Sequence, residues 1–139
     1  MIESYAVGMQ DQALRLGLRE AQKVNHLYKL AALVVKKHKI ISLGVNRTKS
    51  DPLHLQIARM IPTYHKAAKA VNLHAEVSAC SGLTDEELKG ADIYVMRISK
   101  SKIIGNAKPC LACQAWLKSK SIRRAYFTVD YGGFDCIKL

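Results

Sequence analysis

From Asp11 to about Asn25, Leu14, Leu18 and Ala21 recur at helical spacing with Arg15, Arg19 and Lys23 between them. The period predicts an amphipathic helix that lays one face on a sheet. Leu27 to Val35 is a short apolar run ending in Lys36-Lys37-His38-Lys39, and Ile40 to Val45 follows directly, which predicts two strands joined by a basic turn. Residues 46–73 are less regular. Asp51-Pro52 marks a turn, Leu53 to Met60 has weak helical spacing and Pro62 stops it, so the segment reads as a loop with a helical piece. At His74 a new apolar helix begins, running through Val77 and Cys80 to Gly82, and Thr84-Asp85-Glu86-Glu87 has the capping-box spacing for a short helix ending at Gly90. Asp92 to Ile98 reads as a strand, Pro109 suits the first turn of a helix through Trp116 and Leu117, and Arg124 to Val129 is the next strand, with a shorter one after Gly132-Gly133.

The strand-helix-strand alternation after residue 74 implies crossover connections, hence parallel strands, behind the initial hairpin. The 139 residues contain no repeat or linker and read as one domain, 1–139, large enough to hide about two thirds of its unfolded surface without staples. With 49% apolar and 24% charged residues the chain is neither disordered nor fibrous in composition. No apolar run approaches the roughly 20 residues of a bilayer span, and Met1 to Tyr5 lacks the start of a signal peptide. The expected compartment is therefore the reducing cytoplasm, where four cysteines read as thiols or metal ligands rather than disulfides.

Charge sharpens the choice of partner. The formal net charge is +11, and residues 1–73 hold 12 basic and 4 acidic side chains against 10 and 7 in residues 74–139. That bias favours polyanions or phosphorylated small molecules, with a basic solubility surface as the alternative. Aromatic residues at 6% leave few platforms on which a long single strand could stack.

Three soft metal ligands stand out: His74, then Cys110 and Cys113 separated by two residues. A lone Cys-x-x-Cys fits a redox pair or half of a structural zinc site, and a lone histidine is usually ordinary. Together, His74-Ala75-Glu76 and Pro109-Cys110-Leu111-Ala112-Cys113 match the His-x-Glu and Pro-Cys-x-x-Cys signature of zinc nucleobase deaminases. The cysteines fall at a predicted helix start, where backbone N–H groups favour thiolate. Three protein ligands would leave a tetrahedral zinc one position for water, whereas a structural site normally takes a fourth. Glu76 lies about 200° round an ideal helix from His74, so it is suited to carrying protons rather than sharing the metal.

On these motifs the chain resembles the cytidine deaminase superfamily, and more closely its branch of deoxycytidylate and tRNA-editing deaminases with His-Ala-Glu. The resemblance extends to Gly44-Val45-Asn46 and to Arg124-Ala125-Tyr126-Phe127-Thr128. It implies a three-layer α/β/α cytidine deaminase-like fold: a mixed five-stranded sheet with helices on both faces. It also implies Zn2+ on His74, Cys110 and Cys113, Glu76 as the catalytic acid and base, and a homo-oligomer. A nucleoside contact passes to Asn46, whose alternative role is to end a strand. Arg47 and Lys49 stand where a phosphate could lie, or are solvated loop charges. Ala75 and Tyr126 complete the implied substrate-binding set.

Three functions follow in order. The first is hydrolytic deamination of cytosine to uracil in a free nucleoside or nucleotide. The second is the same chemistry on cytosine or adenine in single-stranded DNA, RNA or tRNA, and the third is a non-catalytic zinc-stabilised binding protein. His-Ala-Glu points toward a phosphorylated or polymeric substrate, but residues 48–73 match neither type and the chain stops soon after the last predicted strand. Scarce aromatics and this short C-terminus favour the free nucleotide. Cys80, one helical turn beyond Glu76, is expected in the core rather than on the metal, Trp116 is expected to pack, and Cys136 is expected to be inert.

Overall fold

The computed structural model describes residues 2–24, 29–46 and 74–139. The turn and helical piece expected in residues 51–62, together with Arg47 and Lys49, lie outside the described residues. Strand β1 (Lys29–Lys36) turns into β2 (Lys39–Val45) as an antiparallel hairpin with Lys36 opposite Lys39. Its two central residues, Lys37 and His38, both have positive φ, 52° and 63°, as a two-residue turn of type I′ requires. The basic turn is thus as expected. β1 lies between β2 and β3 (Asp92–Ile98) and is covered on both faces, which explains why Ala31 to Val35 form an unbroken apolar run.

The sheet order is β2-β1-β3-β5-β6, with β5 at Arg124–Thr128 and β6 at Phe134–Lys138. A sixth strand, β4 (Ile104–Gly105), pairs with the end of β3. Its two residues sit in a polar connection that carries no strand-length apolar signal. The expected parallel alternation reduces to one directly paired parallel couple, β3 with β5, because the helical connection that leaves β2 enters β3 on the far side of β1, which is antiparallel to both. β5 and β6 are antiparallel. Their link is a hairpin through Tyr131, Gly132 and Gly133, all at positive φ, too short for a crossover.

Helix α1 (Ile2–Ala21) covers one face. It begins well before Asp11, and its inner stripe is Met9, Ala13, Gly17 and Ala21, with the predicted Leu18 only partly buried at its flank. Small residues at i, i+4 spacing let the helix lie close to the sheet: a Cβ on Gly17 would fall 1.7 Å from Met96 Sδ. Beneath it lie Ala31, Leu33, Val35, Tyr94, Met96 and Ile98.

The other face holds α2 (Ala75–Cys80), α3 (Asp85–Leu88) and α4 (Leu111–Ser119). There Val77, Cys80, Leu88, Cys113, Trp116 and Leu117 close over Ala32, Val34, Ile93, Val95, Ala125 and Phe127. The three α/β/α layers match the expected class. Thr84 caps α3 through the predicted capping box, with Glu87 returning the bond, and Gly90 takes φ +75° after it. At the start of the parallel pair, Arg123 grips Asp92 with two hydrogen bonds of 3.1 and 2.8 Å. The chain passes directly from α4 to the start of β5, so the N-terminus of α4 lies at the end of the sheet where β3 and β5 finish.

Candidate metal centre and active site

Each ligand is placed by a helix start. Cys110 is the N-cap of α4, with Pro109 just before the cap rather than in the first turn. Its sulfur accepts from Cys113 N at 3.5 Å, and Gln114 Nε2 donates to Pro109 O at 2.8 Å, holding the turn. N-cap and N3 positions face each other across the first turn. That is why two residues between the cysteines bring both sulfurs to one point. His74 is the N-cap of α2 and has no side-chain cap bond of its own, leaving its ring turned to the cysteines.

α2 is seated by the sheet. Ser42 Oγ donates to Ala79 O, and a Cβ on Gly44 would lie 2.2 Å from Ala79 N and 2.6 Å from Ser78 C. Only glycine permits that approach. Across the site, His74 Nδ1 stands 3.2 Å from Cys113 Sγ and 3.9 Å from Cys110 Sγ, and the three ligand atoms lie within 4.8 Å of one another. A tetrahedral zinc with bonds of about 2.0–2.3 Å sets such atoms about 3.6–3.8 Å apart. The residues present therefore fit that ion with small adjustments, and the two-sulfur, one-imidazole donor set suits zinc.

The electrostatics couple the four groups. Hydrogen bonding from Cys113, aided by His74, outweighs burial and brings Cys110 down to about 4, a thiolate. Cys113, which donates to it and is itself buried, is pushed up; in the metal-free triad one sulfur carries the proton that zinc would displace. Burial acts to lower His74, but the Cys110 hydrogen bond and the Glu76 charge prevail and raise it. Glu76 is 3% exposed, and burial raises its carboxyl above the usual range although His74 opposes the shift. A buried carboxyl beside the triad, with its proton held more tightly than usual, can both accept and return a proton.

The structure does not bring every expected residue here. Asn46 is at the end of β2, where its Oδ1 accepts from Leu30 N at 2.9 Å and its own N–H reaches Leu30 O at 3.3 Å; the strand-ending role is realised. Ala75 is 1% exposed and its methyl is core. Tyr126 is corrected: it stacks on Tyr94 at 4.6 Å and 10° beneath the α1 layer, on the face away from the triad, while Phe127 faces the triad side. Strand alternation forces one of the two to each side. Cys80 is buried in the core, with burial pushing its thiol up to about 12, and Trp116 packs with Lys120 Nζ 5.9 Å above its ring. Ser42 carried no signal of its own and Gly44 entered only through the family resemblance; a glycine inside an otherwise apolar strand was the available sign of close backbone approach.

Comparison with known proteins gives the family. Residues 9–129 match the family model described as the cytidine and deoxycytidylate deaminase zinc-binding region. Among solved structures, dCMP deaminase from the cyanophage S-TIM5 in apo form is similar at a TM-score of 0.59 and 17% identity, over 88% of this chain and 83% of that one. In complex with dCMP and dUMP it gives 0.53 and 17%, over 94% and 85%. RibD from Acinetobacter baumannii, form 1, gives 0.50 and 17%, over 93% of this chain but 29% of its own. No curated protein sequence matches the chain. At these identities the solved structures speak for the shared fold, and the sequence match speaks for the chemistry. Since that match spans most of the chain and includes a His/Cys/Cys triad positioned for metal, the chain belongs to the cytidine and deoxycytidylate deaminase family of zinc-dependent deaminases.

Proposed function

We propose that the chain hydrolyses the exocyclic amine of cytosine in a free nucleoside or nucleotide, of the cytidine, deoxycytidine or deoxycytidylate type, releasing ammonia and the uracil analogue. The observation that carries this is the buried Glu76 carboxyl, with its raised pKa, beside three metal-ligand atoms within 4.8 Å of one another. His74, Cys110 and Cys113 would hold the zinc, which when bound supplies the Lewis acidity that brings water toward ionisation near neutral pH. Glu76 takes one proton of the attacking water and delivers it to the ring nitrogen, then takes the second from the new hydroxyl and delivers it to the amine, so that the C–N bond breaks, ammonia leaves and the carbonyl forms. Its burial holds each proton more tightly than an exposed carboxyl would and keeps bulk water from competing for it. Asn46, seated at the end of β2 by its bond to Leu30 N, is the candidate nucleoside contact, and Arg47 and Lys49, which follow it in the chain, are candidate phosphate contacts. We take the active species to be a homo-oligomer.

The test is a zinc-loaded protein assayed for ammonia release from cytidine, deoxycytidine and their monophosphates, beside a panel of single-stranded oligonucleotides, with light scattering for the assembly. Turnover of a free nucleoside or nucleotide is expected. Turnover of oligonucleotides alone, with steep salt dependence of binding, would replace this reading with nucleic-acid editing.

A further inference from the structure

One edge of β3 is shared by two strands. β1 lies along the other edge from Asp92 to Ile98. On the edge away from β1, β5 pairs as far as Val95 opposite Phe127, and β4 takes over at Arg97 opposite Gly105. Where two ladders part, backbone N–H and C=O groups need partners from elsewhere. Thr128, the residue after Phe127, stands in that fork. Its Oγ1 accepts from Arg97 N at 3.2 Å and donates to Gly105 O at 2.8 Å. A hydroxyl can give and take at once, which an aliphatic side chain of the same shape cannot. Thr128 and Glu76 are the buried polar side chains among the described residues, and the chemistry proposed for Glu76 gives Thr128 no part.

The fork leads to the metal centre. Only four residues separate Gly105 from Cys110, and every residue from Ile104 to Pro109 is tied down. Tyr131 N donates to Ile104 O at 2.9 Å, Asn106 N to Asp130 Oδ1 at 3.1 Å, and Ala107 N to Thr128 O at 2.9 Å. Farther on, Lys108 N donates to Asn106 Oδ1 at 2.9 Å and Gln114 Nε2 to Pro109 O at 2.8 Å. Ala107 is itself buried in the core on the triad's side of the sheet. The two cysteines are therefore held in different ways. Cys113 lies inside α4, whereas Cys110 is the N-cap, with extended backbone at φ −72° excluded by its own values of −65° and 162° for φ and ψ, and takes its place from the run that arrives from β4.

We infer that Thr128 is a positioning residue for the zinc: by joining β3 to β4 at the fork it fixes the approach of Cys110 to the metal, with Asp130 adding a second hold on the same run. The inference rests on the ligand set given under Proposed function. Thr128→Val keeps the shape and leaves the Arg97 N–H and the Gly105 C=O unsatisfied, while Thr128→Ser keeps the hydroxyl. Groups that support a ligand directly tune metal affinity about 10- to 100-fold, and Thr128 stands one step further back, so the zinc affinity of Thr128→Val should fall about 10-fold in competition against a chelating dye. Thr128→Ser should recover it. Bound Co2+ gives a second readout, since its visible bands follow the geometry at the ion: they should shift in Thr128→Val and return in Thr128→Ser. Thr84→Ala removes the cap of α3, lowers stability away from this run, and should leave affinity and bands at wild-type values. Should Thr128→Val not fold, Asp130→Ala, at an exposed position, takes its place with the same direction of change expected. Wild-type affinity and bands in the variant measured, an equal loss in Thr84→Ala, or no recovery in Thr128→Ser would overturn the inference. Unchanged zinc affinity in Cys110→Ala would sink the ligand reading and this inference with it, whereas a loss there with none in Thr128→Val would sink this inference alone.

Discussion

Gly44→Ala is a one-carbon change in β2 that should act on the metal. The new Cβ would stand 2.2 Å from Ala79 N, 2.6 Å from Ser78 C and 2.8 Å from Ala79 Cα. All three are backbone atoms of α2 and cannot rotate away. Restoring an ordinary separation of about 3.5 Å moves the helix off the sheet by roughly 1 Å. Overpacking of this kind costs about 1–3 kcal/mol, a fall in Tm of roughly 3–10 °C for a chain of this length. The same displacement carries His74, the N-cap of α2, away from two sulfurs fixed on α4, against a tolerance of about 0.2 Å in zinc–ligand distance. Zinc affinity should fall about 10- to 100-fold, as when a group supporting a ligand is lost. Competition against a chelating dye measures the affinity and calorimetry the Tm. Wild-type zinc affinity in a folded Gly44→Ala protein would refute the claim that this contact sets the position of His74, whatever happened to the Tm.

Other outcomes are equally specific. Glu76→Gln keeps the shape and removes the proposed proton carrier, so turnover should drop at least about 100-fold while zinc content stays near one per chain; elemental analysis and a steady-state assay check both halves. His74→Ala, Cys110→Ala and Cys113→Ala should each bind zinc far more weakly, and full retention in all three would show that the metal is held elsewhere. In metal-free protein the Cys110 thiol, brought from 9.0 to about 4, is ionised in the fold and protonated in the unfolded chain between those limits. Its contribution to stability is thus full above about pH 9 and lost as the pH falls toward 4. Iodoacetamide at pH 6 should accordingly modify Cys110 ahead of Cys80, whose thiol is pushed up to about 12, as read by peptide mass spectrometry.

The parts of the molecule that were legible in sequence are those fixed by local chemistry. Asp92 to Ile98, the Thr84 box and the basic hairpin turn each carry their own signal, and the structure has them where the pattern puts them. The His-x-Glu and Cys-x-x-Cys spacings likewise encode helix starts, and a helix start is a local event. Three things were not local. The pairing partner of β6 depends on chain reversal at Tyr131 to Gly133, not on the strand's own residues. The inner face of α1 is a line of small residues whose meaning appears only with Met96 against Gly17. The side on which Tyr126 emerges depends on strand phase, and alternation alone leaves two choices.

At six residues, α2 is well below the roughly 12–15 residues at which an isolated helix becomes marginally stable in water. Its order is therefore borrowed from its contacts, and it should open more readily than the strands it covers. The amide of Ser78, bonded to His74 O at 3.0 Å, would then exchange with solvent through a local opening that never unfolds the sheet, whereas the amides of Ala32 and Val95 would wait for global unfolding. Because a bound metal joins the first residue of that hinge-like segment to α4, its removal should speed exchange at Ser78 while leaving the sheet amides nearly unchanged. The metal would thus act as a latch on one small moving part, and the lifetime of the Glu76 carboxyl in its buried position would be set by how long that latch stays closed.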